Sequence, residues 1–162
     1  MGERTSAESS ADSVSGERQV PHFGRRRIRA VVAHDSSDWR SVVAALLEME
    51  DDVEVVAHVE NGQEAIEAVT LLQPELAIID LRIGSLDVLT TTSLLHHQFP
   101  LLDVILMADH DSPRLRATCQ ASGTKYVVQK AKFHEQFPPL LAQIRDGLRA
   151  SAVIGNDAKG CA

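Results

Sequence analysis

The sequence predicts a doubly wound α/β domain: five parallel strands in the order 2-1-3-4-5, with helices on both faces of the sheet. Three observations lead there. Apolar, strand-like runs alternate five times with segments of helical period. No junction carries a hairpin signal, so the strands are joined by crossovers and run parallel. Right-handed crossovers leave few topologies, and this order is the usual one for five strands.

Each element follows from its own pattern. Ile28 to Ala33 (IRAVVA) is the first strand. Val42, Val43, Leu46 and Leu47 place a helix over about Trp39 to Met49. Val53 to Val59 is strand two, and Asn61-Gly62 reads as a turn. Ile66, Val69 and Leu72 recur at helical spacing and form helix two, which Pro74 stops. Leu76 to Asp80 is strand three, followed by an Ile83-Gly84-Ser85 loop. Leu86 to about His97 is helix three, ending before Pro100. Val104 to Ala108 is strand four, and Ser112 to Ser122 is helix four, with Gly123 a natural stop. Tyr126 to Val128 is strand five. Pro138-Pro139 suits the first turn of helix five, whose buried face would carry Leu140, Ile144 and Leu148.

The chain has 162 residues, enough for one domain and two tails. Residues 1–26 are rich in Ser, Glu, Arg and Gly. They offer too little apolar surface to offset ordering entropy, and a disordered N-terminal tail is expected. The domain is expected over 27–150 and a flexible C-terminal tail over 151–162. Hydrophobic residues make up 44% and aromatics only 4%, so the core is built mostly from Val, Leu, Ile and Ala. The net charge of −7 argues against a nucleic-acid-binding surface, which needs a basic face. Arg25-Arg26-Arg27 then reads as a solvated positive edge. No apolar run is long enough for a membrane span, and the start lacks the apolar core of a secretory signal. Met1-Gly2 with Ser6 matches an acylation pattern only loosely. Cys119 and Cys161 sit in unrelated contexts; no disulfide is expected, and the natural location is a reducing cytoplasm.

Chemistry in an open α/β sheet collects beyond the carboxyl ends of the strands, at the point where strand order reverses. Here that point lies between strands one and three. It brings His34 and Asp35 beside Asp80. Carboxylates of this kind suit Mg²⁺, which takes few protein ligands plus water and phosphate. A carboxylate facing a metal can also act as a nucleophile towards a phosphoryl group. Lys130, after strand five, could neutralise phosphate charge. Ala108, at the end of strand four, cannot donate a hydrogen bond.

The βα pattern, Ile79-Asp80-Leu81-Arg82, Gly123-Thr124 before strand five, and Lys130 resemble the receiver domain of bacterial response regulators. The resemblance covers about Arg27 to Arg149. It implies a flavodoxin-like, CheY-like fold and a place in two-component phosphorelay signalling. By position, Asp80 is the phosphoacceptor, Lys130 the phosphate contact, and Asp35 with Asp80 the Mg²⁺ ligands. Two positions depart from the pattern. His34 stands where the family has a second acid, so Mg²⁺ is expected to bind weakly or not at all. Ala108 stands where the family has a Ser or Thr. The loop after the phosphoacceptor reads Ile83-Gly84-Ser85, with Asp87 following. The aromatic readout position stays open between Tyr126 and Val127.

Each residue also has a plainer reading. Asp80 could be a structural acid bonded to a loop amide, Asp35 a helix N-cap, and Lys130 a solvated lysine. His34 reads as a tolerated replacement and Trp39 as a packed residue at the start of helix one. His96 and His97, adjacent on a helix, point in different directions. The expected protein is a stand-alone, non-enzymatic receiver. Its partners are a sensor histidine kinase or phosphotransfer protein and a downstream protein on the helix 4, strand 5, helix 5 face. No nucleic acid or membrane partner is expected, and a homodimer is left open. The alternatives are a phosphorylation-independent pseudo-receiver and a small flavodoxin-like enzyme, flavin-binding or hydrolytic.

Overall fold

The computed structural model describes residues 26–84 and 87–157. The expected N-terminal tail, Ser85 and Leu86 at the expected start of helix three, and residues 158–162 with Cys161 lie outside the described residues. The elements in chain order are β1 (Ile28–Ala33), α1 (Ser37–Glu48), β2 (Val53–Val59), α2 (Gly62–Leu72), β3 (Leu76–Asp80) and α3 (Val88–Gln98). They continue with β4 (Asp103–Ala108), α4 (Pro113–Ala121), β5 (Tyr126–Gln129), a 3-10 turn (Lys130–Lys132) and α5 (Phe133–Asp157). All strand pairs are parallel, in the order β2-β1-β3-β4-β5. The doubly wound architecture expected from the alternation, flavodoxin-like as the resemblance implied, is therefore the one observed.

Successive side chains of each strand enter opposite cores, as the two-residue period of a strand requires. On one face Val32, Ile78, Met107 and Val128 pack against Val43 and Leu47 of α1 and Phe133, Phe137, Leu141 and Ile144 of α5. On the other, Val31, Ile79, Leu106 and Val127 pack against Val69 of α2, Leu95 of α3 and Cys119 of α4. All five residues of β3 are buried, which is why that run shows no polar alternation.

Several helix ends differ from expectation. Ser36, not Asp35, caps α1, accepting from the Trp39 amide. Asn61 is more than a turn residue: its side chain accepts from Glu64 N at 2.9 Å and caps α2. Asp87 caps α3 in the same way. The structure starts α5 at Phe133, so Pro138 and Pro139 lie inside the helix rather than in its first turn. Burial explains the earlier start. Phe133 and Phe137 stack at 5.1 Å between ring centroids and are almost fully buried, which draws the preceding turn into the helix. Leu141 rather than Leu140 is the fully buried leucine of that stretch. The helix also continues to Asp157, seven residues past the boundary expected at 150, and exposes Val153 and Ile154. Among the described residues no helix is long and apolar enough to cross a membrane.

Candidate functional site

The parallel register determines which residues meet. Asp80 pairs with Met107 of β4, which pairs with Val128 of β5. Lys130, two residues beyond Val128, therefore emerges on the same face as Asp80. On the other side Ala33 of β1 pairs with Ile79, so His34 comes out beside Asp80. The carboxyl ends of β1, β3 and β5 thus converge on one carboxylate.

Asp80 is 1% exposed. Its Oδ1 accepts from the Arg82 amide at 3.0 Å, which orients the carboxyl group. Its Oδ2 accepts from Lys130 Nζ at 2.6 Å. Both partners are buried, and a buried charge is tolerated only when paired and hydrogen-bonded. Lys130 is shared: Asp109 Oδ1 lies 3.3 Å from its ammonium, and Asp109 Oδ2 lies 3.0 Å from Arg82 Nε. The hydrogen bond from Lys130, aided by the charges of Lys130 and Arg82, holds the Asp109 carboxyl below the usual range.

His34 is as buried as Asp80, at 3% exposed. Its ring stacks on Trp39 at 5.9 Å between centroids, with 13° between the planes. Nδ1 accepts from the Ser36 amide at 2.9 Å and lies 2.9 Å from Asp35 Oδ1. Nε2 lies 2.7 Å from Asp80 Oδ2. That distance alone suggests a bond, but the angle is wrong for one and Nε2 is left without a hydrogen-bond partner. Burial lowers the pKa of the ring, against the opposing pull of Asp80 and Asp35, so the neutral form is favoured.

Of the residues expected at the site, the structure brings His34, Asp80 and Lys130 into direct contact. Asp35 joins through its approach to His34, but its side chain is mostly exposed. One ligand atom from each of His34, Asp35 and Asp80 can be chosen so that all lie within 4.8 Å of one another. Two carboxylates and a neutral imidazole, with one carboxylate already bonded to an ammonium, make a poor donor set for Mg²⁺, which favours oxygen ligands. Ala108 closes β4 within the apolar core and brings no hydroxyl to the site. Asp109, the next residue, was missed by the sequence reading. It carries the signal that singled out Asp80, an acid directly after a buried strand at the carboxyl edge of the sheet.

A 2-1-3-4-5 parallel sheet with a buried acid and a lysine paired across its carboxyl edge is the arrangement of a receiver-type α/β fold. The sequence profile of the response regulator receiver domain matches residues 30–138. The chain belongs to this family, and with it to two-component signalling. Among curated proteins it is 33% identical over 129 residues to a protein-glutamate methylesterase/protein-glutamine glutaminase of Moorella thermoacetica, covering 78% of this chain and 30% of that protein. It is 26% identical to the transcriptional regulatory protein LnrK of Bacillus subtilis, over 59% of this chain and 44% of LnrK. The chain thus spans less than half the length of either relative. Among solved structures it resembles the response regulator domain of Thermotoga maritima CheB. The TM-score is 0.67 at 23% identity, covering 76% of this chain and 98% of that one. The receiver domain of Mycobacterium tuberculosis NarL aligns with a TM-score of 0.69 at 21% identity, covering 74% and 98%. At these identities the structural matches establish the shared fold.

Proposed function

We propose that Asp80 is the phosphoacceptor of this receiver domain and that a histidine kinase or phosphotransfer protein is its donor. The observation that carries the reading is the 2.6 Å contact between Lys130 Nζ and the buried Asp80 Oδ2. In the transfer, an Asp80 oxygen attacks the phosphorus of a phosphohistidine. A P–O bond forms, the P–N bond breaks, and the leaving imidazole keeps the electron pair and takes up a proton. The Arg82 amide holds Oδ1 and so fixes the attitude of the carboxylate. Lys130 offsets the charge that the phosphoryl oxygens bring, and Asp109 keeps the ammonium at the site when Asp80 is esterified. A divalent ion, when bound, adds further charge neutralisation there. His34, Asp35 and Asp80 would hold it, with Mg²⁺ bound weakly because His34 replaces an oxygen donor. Output passes through protein contacts on the face of α4, β5 and α5, in the cytoplasm.

A second reading is favoured by Ala108: a phosphorylation-independent binding module. With no hydroxyl at the end of β4, the phosphorylated and free states differ by one contact fewer, and a switch needs such a differential contact. Incubation with acetyl phosphate and Mg²⁺, followed by intact mass measurement, separates the two. A gain of one phosphoryl group that disappears in Asp80→Asn supports the first. No gain at millimolar Mg²⁺ removes it and leaves the second.

A further inference from the structure

We infer that the groove beneath the amino ends of β1, β3 and β4 is the docking site of this chain's own segment Val20–Phe23, with the Phe23 ring as its anchor. The groove encloses about 890 Å³, within the size range of clefts that hold a ligand. It lies at the end of the sheet opposite Asp80. One wall is Phe99, Pro100, Leu101 and Leu102, between α3 and β4; the other includes Leu148 and Ala152 of α5. Leu101 is 76% exposed. That wall leaves apolar surface facing water, which an apolar occupant would remove.

Three observations select the occupant. The first is where the chain meets the groove. Arg26, Arg27 and Ile28 themselves line it. Glu75 accepts from Arg26 Nη2 at 2.5 Å and from the Arg29 amide at 2.9 Å, which holds the chain against the groove as it enters β1. Phe23 precedes Arg26 by three residues, a reach of at most about 11 Å. The second is composition. Met1 and Val14 are the large apolar residues of positions 1–19, whereas Val20, Pro21 and Phe23 fall together beside the groove. Phe23 is the only Phe, Tyr or Trp before Arg26. Its ring offers a large apolar contact, and Pro21 has less backbone freedom to lose on docking. The third is charge. Arg27 and Arg149 are exposed on the groove and pair with no acid among the described residues. Glu3, Glu8, Asp12 and Glu17 outnumber Arg4 and Arg18 in the segment that precedes it. The tether makes docking intramolecular, at an effective concentration in the millimolar range, an advantage that a second copy or a free peptide lacks. Docked there, the segment straps the α3–β4 connection to α5. This inference is independent of whether Asp80 is phosphorylated.

The test is NMR of the full chain, with leucine methyls and phenylalanine rings labelled and no phosphodonor present. The expected result is nuclear Overhauser contacts from a phenylalanine ring to the methyls of Leu101, Leu102 or Leu148 that vanish in Phe23→Ser. In that variant the Leu101 and Leu148 methyl resonances shift, whereas Val14→Ser leaves them in place. Leu101→Glu, which puts a charge on the exposed wall, abolishes the contacts. A sample mixing two differently labelled copies separates the tethered segment from that of a second molecule. Contacts that appear only between copies assign the groove to a second copy and overturn the proposal. The lack of any contact that depends on Phe23 also overturns it and leaves the groove to a separate partner. So does a Val14→Ser spectrum altered at the groove as much as that of Phe23→Ser.

Discussion

Replacing Lys130 with Met keeps the length of the side chain and removes its charge, which isolates the buried ion pair. In the wild-type protein Asp80 Oδ2 accepts from Lys130 at 2.6 Å, and the carboxylate is 1% exposed. After Lys130→Met its remaining good hydrogen bond is the one from Arg82 N. His34 Nε2 is near but badly angled. Breaking one side of a buried pair leaves an uncompensated charge, and the expected cost is about 3 kcal/mol. For a domain of this size that lowers the melting temperature by about 6–12 °C. Asp80→Asn is expected to cost less, about 1–2 kcal/mol, the range for one lost partner of a buried hydrogen bond. The asymmetry arises because Lys130 keeps Asp109 at 3.3 Å, whereas Asp80 has no second cation in hydrogen-bonding geometry among the described residues. The double variant Lys130→Met with Asp80→Asn should recover part of the larger loss. Urea unfolding of the four proteins completes the cycle. A Lys130→Met protein within about 0.5 kcal/mol of wild type would refute the reasoning, since that is the scatter of neutral surface changes. So would strictly additive losses.

Three further outcomes are expected. Gly123 has a φ of +93°, and a Cβ there would lie 2.6 Å from His96 Cδ2. Gly123→Ala should destabilise by more than about 1 kcal/mol in urea unfolding, and a second change, His96→Ala, should restore only the part due to the clash. Asp103 has its pKa raised above 3.8 by burial, with Lys125 opposing. Its folded form holds a proton more tightly than its unfolded form, so the ionised carboxylate costs stability at neutral pH, and the cost fades as pH falls through the folded value. Asp103→Asn should therefore raise the urea midpoint near neutrality, and that gain should shrink to nothing as the pH approaches 3.8. Ala108→Ser returns a hydroxyl to the end of β4. With beryllofluoride, amide shifts should extend into β5 in this variant and stay near Asp80 in the wild type; equal responses would count against the role given to Ala108.

The strands were legible because each is a short apolar run bounded by polar or turn residues. β1, β2 and β3 begin and end at the expected residues, and β4 and β5 each gain one. The order followed from parallel pairing, crossover handedness and the arrangement usual for five strands. Helix ends were less legible. Asn61-Gly62 serves equally as a turn or a cap, and only the amide geometry of Glu64 distinguishes them. Pro138-Pro139 signals a helix start by propensity, yet burial of Phe133 and Phe137 overrides it. At the site, strand ends predicted who the neighbours are but not how their side chains turn. His34 read as a mere replacement because nothing in spacing says that it is buried and stacked on Trp39.

The length of α5 has a mechanical consequence. Leu148 is the last side chain of the helix packed against the core, and the backbone continues as helix to Asp157. At 1.5 Å per residue that leaves a lever arm of about 13 Å beyond the last anchor point. A tilt of about 10° at Leu148, smaller than many helix adjustments within domains, would swing the far end through about 2 Å. Repacking too slight to register around the buried phenylalanines would thus arrive at Val153 and Ile154 as a displacement of about 1.5 Å, the length of a covalent bond.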